Sequence, residues 1–330
     1  MIHSMKFLLK KCQNNKMSDR FFYYSKKLGT GIGLLLCLSF LSFFLLETQS
    51  THLAETVLRA NEIVPTAENT REITQELSLD QPFIIRYIRW LQQASHGDFG
   101  TSFITKEKVS VSIAQAFILT LLLTGLVFLL LLLFSFSIGV YSVIKQGSIS
   151  EKILRLTLFF IGSLPSYWIG ILFIVFFSLQ LQFFPTSGVD EAGAIVLPTL
   201  TLVCANLPSY VRIVRQELIQ TMQKPFMQYY YLRNFSSRRI FYHLLKNSIR
   251  ASLTSMSMGF PKLIAGSAVV ESIFSWPGMG MLCVRAISTR DIPLLQGYIV
   301  FVAFFFMLFN MLIQQLNQKI DPRLEGTGNQ

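Results

Sequence analysis

Few side chains able to do chemistry are present, and they are badly spaced for it. The four histidines stand at positions 3, 52, 96 and 243, so no HExxH pair can share a helix face to hold zinc. There is no Gly-x-Ser-x-Gly turn to expose a nucleophile and no GxxxxGK[ST] loop to cradle phosphates. Cys12, Cys37, Cys204 and Cys283 are too scattered for a zinc spacing or a disulfide framework. Gly29, Gly31 and Gly33 imitate a dinucleotide fragment but lie in an apolar stretch, where Gly29 and Gly33 read better as the GxxxG of a packed helix. The sequence therefore predicts no catalytic residue, no cofactor and no bound metal. Whatever work the chain does must draw its energy from elsewhere.

The elements that would position any site are apolar. Of 330 residues, 52% are hydrophobic and 14% charged, with 30 Phe. A soluble domain carries roughly 25% charged residues, so the expected solvent is lipid. The net charge of +11 does not indicate nucleic acid, because the basic residues cluster between long uncharged runs instead of interleaving with aromatics on one face.

A bilayer core needs about 20 apolar residues per helix. Uncharged stretches run over 28–46, 109–144, 156–189, 192–211 and 292–318, and a sixth, 251–270, is broken only by Lys262. The reading is an all-α integral membrane protein with six transmembrane helices: 28–46, then about 115–143, 156–183, 194–212, 250–274 and 296–317. A barrel's alternation is absent, and lone strands would leave backbone groups unpaired in lipid. With the N-terminus inside, inner segments hold 20 Lys and Arg and outer ones 8, the bias expected of cytoplasmic loops. Both termini are thus expected in the cytoplasm, as a basic segment 1–27 and a tail 319–330. A basic flank before span one also fits a secretory signal, but Glu47-Thr48-Gln49 offers no small-residue cleavage site.

Two loops stand out. The outer segment 47–108 is long and holds a polar helix-like stretch from Glu68 to Glu76, which reads as a small external cap or as a spacer. The inner segment Arg212 to Arg250 holds eight Lys or Arg against one acid, Glu217. Its helix-like stretches, Phe226 to Arg233 and Arg238 to Lys246, are separated by Asn234, a residue that tolerates the left-handed backbone of a helix stop. One reading is a surface attracted to anionic lipid, the other a short helix that docks on a cytosolic partner.

Several blocks in order resemble the peptide/nickel class of ABC importer permeases, the first of the two permease subunits. They are Asp80-Gln81-Pro82 with Tyr87 and Trp90-Leu91, Gly97-Asp98-Phe99-Gly100-Thr101-Ser102, Pro165 to Gly170, Phe184 to Gly188, Leu197 to Leu200, the sharpest block Glu271 to Gly280, then Asp291-Ile292-Pro293 and Asp321-Pro322-Arg323. The resemblance implies a type I ABC importer permease fold in the plasma membrane, with the transmembrane domain over 109–318. It also implies half of a translocation pore, completed by a second homologous permease, with two cytosolic ATPases that hydrolyse ATP and an extracellular solute-binding protein. Short peptides, nickel or metal chelates are the implied cargo. A coupling helix would fall on Phe226, Tyr229, Tyr230, Tyr231, Leu232, Arg233 and Asn234. There the chain departs from the family, with tyrosines for small residues and Asn234 where Gly is usual. Signature or gate residues would be Glu271, Phe274, Pro277, Gly278 and Gly280, with Pro277-Gly278 read as a turn at the outer end of span five in preference to a kink. A secondary transporter without ATPases is the alternative, although the two similar halves it should show are missing.

Lys262 lies 12 residues past Arg250, about 18 Å along a helix, hence near mid-membrane. A lysine there costs roughly 2.5 to 3.5 kcal/mol and should not face lipid. It either pairs with a carbonyl or a carboxylate of the second permease or lines the path and attracts anionic cargo.

Overall fold

The computed structural model describes residues 29–45, 53–60, 63–76, 81–189, 191 and 193–320. Among them the chain is helical throughout, with one isolated antiparallel bridge, Thr101 to Lys108. In order, the helices are α1 Gly29–Leu45, α2 Leu53–Ala60, α3 Ala67–Glu76, α4 Phe83–Ser95, α5 Val109–Ile144, α6 Ile149–Ser163, α7 Ser166–Phe173 continuing as a π-helix over Ile174–Gln180, α8 Val196–Met222, α9 Pro225–Leu232, α10 Ser237–Ser257, α11 Phe260–Ile273, α12 Met279–Ser288 and α13 Ile292–Ile320. They form two compact units, Met1–Val109 with Arg290–Met307, and Ser110–Thr289 with Leu308–Gln330.

In the first unit, α1 and α4 meet through aromatic rings. Phe40 and Phe43 meet Phe83 and Tyr87 edge-to-face at centroid separations of 5.3 to 5.7 Å, and the Tyr87 hydroxyl lies 2.9 Å from Ser39 Oγ. Offset and edge contacts of this kind are the favoured aromatic geometries. The Gly97 to Ser102 block closes on the start of α13. Ser102 Oγ donates to the buried Asp291 carboxylate, which also accepts the Phe103 N–H at 3.3 Å.

The second unit has a core of Leu, Val and Met side chains from α5, α8, α10 and α11, closed by Phe274 and Trp276. Among the described residues three helices, α5, α8 and the part of α13 over Ile292–Asn317, are long and apolar enough to cross a membrane, and the bent pair α6–α7 makes a fourth if it is one span. Helix α5 has 36 residues, about 54 Å at 1.5 Å each. Leucines 122, 129 and 133 are exposed on it, as suits a helix solvated by lipid.

Two expected spans are broken. The single helix expected over 156–183 starts at Ile149 and bends by 96° between α6 and α7. Pro165 lacks an N–H and forces Leu164 to an extended ψ of 134°, which ends α6. The helix expected over 250–274 is α10, beginning 13 residues earlier at Ser237, followed by α11; Gly259 and Pro261 separate them, since Pro261 cannot donate back into α10. Three others run past their expected ends: α5 begins at Val109, α8 continues to Met222 through Arg212 and Arg215, and α13 spans Ile292–Ile320, whereas α1, Gly29–Leu45, falls within the expected 28–46. Counting only uncharged residues misses solvated helix ends.

Candidate functional site

Helix α9 is a short helix within the segment Arg212 to Arg250. Pro225 opens it, its fixed φ suiting the first helical turn. Met227 points into the core and is fully buried. Asn234 ends it at φ +48°. The Asn234 N–H donates to Tyr231 O at 3.1 Å and the Phe235 N–H to Tyr230 O at 3.2 Å, and the Tyr230 ring meets the Phe235 ring at 5.2 Å. This is a Schellman stop with its hydrophobic contact, Asn standing where Gly usually does.

The stop divides the tyrosines. Tyr230 turns inward and stacks on His243 of α10 at 4.7 Å, with Phe226 at its edge. Tyr229 and Tyr231 are 48% and 44% exposed and Leu232 is 84% exposed. Arg233 sits 4.8 Å above the Tyr229 ring. Tyr231 also borders a cavity of about 250 Å³ that Ile144, Leu218, Phe241 and Leu244 line. The seven residues singled out in the sequence are therefore contiguous in space but not equivalent. Phe226 and Tyr230 hold α9 to its own chain, and Tyr231 and Leu232 offer apolar surface to something else.

The Glu271 to Gly280 block folds around one carboxylate. Glu271, fully buried, accepts Thr120 Oγ1 at 2.8 Å, Ser267 Oγ at 2.9 Å and the Gly280 N–H at 2.7 Å. The Met279 N–H donates to Thr120 Oγ1 at 2.8 Å. A buried carboxylate needs such donors, and here the Gly280 N–H ties it to the first turn of α12, whose positive end favours an anion, while Thr120 links it to the same turn through the Met279 N–H. Pro277-Gly278 is a turn between α11 and α12. A Cβ on Gly278 would lie 2.6 Å from the Glu271 carboxyl, and one on Gly280 would meet the Ala268 backbone, so both positions exclude larger residues. Phe274 is buried with its ring beside Gly170 of α7, and Thr201 of α8 approaches the same glycine, which connects this block to α7 and α8.

Lys262 is exposed on α11. Its neighbours Pro261 and Leu263 are buried, so the ammonium leaves the unit and makes no ion pair among the described residues. Sequence reasoning missed Thr120 and Ser267, the partners of Glu271. Thr120 is one of several hydroxyl-bearing residues in the 36-residue apolar run, and nothing in the run sets it apart from Thr124 or Ser135.

The family described as "Binding-protein-dependent transport system inner membrane component" matches residues 132–326. The metal-staphylopine import system permease protein CntB of Staphylococcus aureus is 32% identical over 305 residues, 92% of this chain and 98% of that protein. The glutathione transport system permease protein GsiC of Salmonella paratyphi A is 32% identical over 76% of this chain and 83% of its own length. A putative peptide transport system permease protein of Brucella abortus is 29% identical over 91% and 97%. A crystal structure of an amino acid ABC transporter with histidines shares the fold, with a TM-score of 0.50 over 64% of this chain and 94% of that one, at 16% identity.

Proposed function

This chain belongs to the binding-protein-dependent transport system inner membrane components, and on that premise we propose how it works as a permease. It is a transport subunit, a multi-pass protein of the plasma membrane. In the proposal it forms half of a pore with six spans and both termini cytoplasmic, completed by a second homologous permease. Two cytosolic ATPases hydrolyse ATP, and an extracellular binding protein delivers cargo.

The observation that carries the coupling is α9: a helix fixed to its own chain by Met227 and Tyr230, with Tyr231 and Leu232 left uncovered. An apolar helix face laid into a groove is a recurrent docking mode. Closure of the ATPases would push α9 and rock the helices of the pore between inward-facing and outward-facing states.

The proposed cargo is a short peptide or a nickel or other metal chelate. The names of the relatives support this class, and Lys262 supports the anionic members of it. Reconstitution in vesicles with the second permease, ATPases and binding protein tests the function: uptake should need both ATP and this chain. Uptake that persists when this chain is omitted contradicts it.

A further inference from the structure

Another buried carboxylate lies at the opposite end of α6 from the Pro165 bend. Glu151, in the first turn of α6, is 1% exposed. Its Oε1 is 2.8 Å from Arg155 Nε and 3.3 Å from Arg215 Nη2, and its Oε2 accepts the Gly147 N–H at 3.3 Å. Its own N–H donates to Ser148 Oγ at 3.3 Å, capping α6. Arg215 also donates through Nε to Ser142 Oγ at 3.1 Å, and Ser142 is buried on α5. One carboxylate therefore ties together α5, the α5–α6 turn, α6 and α8.

Stability alone is a poor reason for this arrangement. Burying a carboxylate and a guanidinium costs about as much as their attraction returns, and apolar side chains of similar volume would hold the helices as well. What an ion pair adds is direction, because it fixes the rotation and register of one helix on another. Here the register concerns α8, which continues through Gln223-Lys224 into α9. One residue before Arg215, α8 approaches α5 so closely that a Cβ on Gly139 would lie 2.8 Å from Val214 Cγ1. At its other end α6 leads into α7, whose Gly170 packs on Phe274.

We propose that Glu151 and Arg215 are positioning residues for transport: they lock α6 to α8 so that displacement of α9 moves the bent α6–α7 arm and, through Gly170 and Phe274, the Glu271 to Gly280 block. This rests on the coupling role of α9 given above. Arg155, whose side chain is 55% exposed against 25% for Arg215, serves to balance charge and carries little of the lock. Two helices held only by shape can slip under load, whereas loss of Glu151 or of Arg215 removes the ion pair between α6 and α8 and frees the register, even though Arg155 still balances Glu151 when Arg215 is lost.

The test uses the whole reconstituted complex and reads ATP hydrolysis, uptake and subunit co-purification together. Glu151→Gln keeps the shape and removes the charge. The expected result is an assembled complex that still hydrolyses ATP but whose uptake per ATP falls about five-fold or more, the low end of an allosteric coupling. Arg215→Gln should do the same, the double variant no worse than either single one, and Arg155→Gln much less. An unchanged ratio of uptake to hydrolysis in Glu151→Gln overturns the proposal. So does a complex that fails to assemble, or uptake and hydrolysis falling in equal proportion, since either marks a purely structural pair. A wild-type complex with no ATP-driven uptake overturns the proposed function itself, and with it this role.

Discussion

The Glu271 carboxylate receives the backbone N–H of Gly280 at 2.7 Å, nine residues on, which folds the signature block back on itself and leaves the α12 start sealed against α11. Glu271→Gln presents an amide in place of one oxygen. Either the Gly280 N–H or the Thr120 and Ser267 hydroxyls then lose their acceptor, at about 1 to 3 kcal/mol for a buried donor. A lowered thermal unfolding midpoint of the purified permease is expected; an unchanged midpoint contradicts the tie.

Gly280→Ala drives a methyl group into the Ala268 backbone, which cannot yield as a flexible side chain can. Overpacking of this kind costs about 1 to 3 kcal/mol or more. Gly266→Ala, on the same helix as Ala268 but with nothing within 4 Å of the added carbon, is the control and should leave the yield and melting of the permease in detergent unchanged.

Leu232→Ala should leave the fold intact, because the side chain touches little of its own chain. Its loss should weaken binding to the ATPase by about 2 kcal/mol, the scale of an interface anchor and roughly 30-fold in affinity. Tyr230→Ala acts differently, since it removes the stack on His243 and should lower stability before it lowers affinity. Titration of the purified ATPase onto permease in nanodiscs, with melting curves alongside, separates the two. Equal affinities for wild type and Leu232→Ala contradict the docking face.

Lys262→Met removes the charge while keeping the length. If the ammonium lines the path, the assembled complex should take up an anionic chelate or peptide several-fold more slowly and a neutral one at the wild-type rate. If it pairs with the second permease, co-purification of the two permeases should fail. Normal assembly with normal uptake of both cargoes contradicts each role.

Much of the fold was legible because lipid imposes a coarse rule that uncharged runs obey, and α5 and α13 follow it. The rule failed where backbone chemistry overrides composition. Pro165 sits in an apolar run and still turns the chain, and the helix-like stretch read over Arg238 to Lys246 does not stop at the end of the basic segment but continues as α10 to Ser257. The stop at Asn234 was readable, because Asn is one of the few residues at ease in a left-handed backbone. The division of labour between Tyr230 and Tyr231 was not, since adjacent aromatic residues look alike until the position of His243 on the next helix is known. Glu271 and Glu151 were equally obscure as buried carboxylates, for the partners that join them to other helices, Thr120 and Arg215, lie 151 and 64 positions away.

Transport through this permease is proposed to be driven by ATP hydrolysed on partner subunits. Accumulation of a labelled peptide or metal chelate in vesicles holding the full complex, measured with ATP, with a non-hydrolysable analogue and with a protonophore, tests this. Accumulation against a gradient is expected with ATP alone, abolished by the analogue and indifferent to the protonophore. Flux that proceeds without nucleotide and collapses with the proton gradient would contradict it.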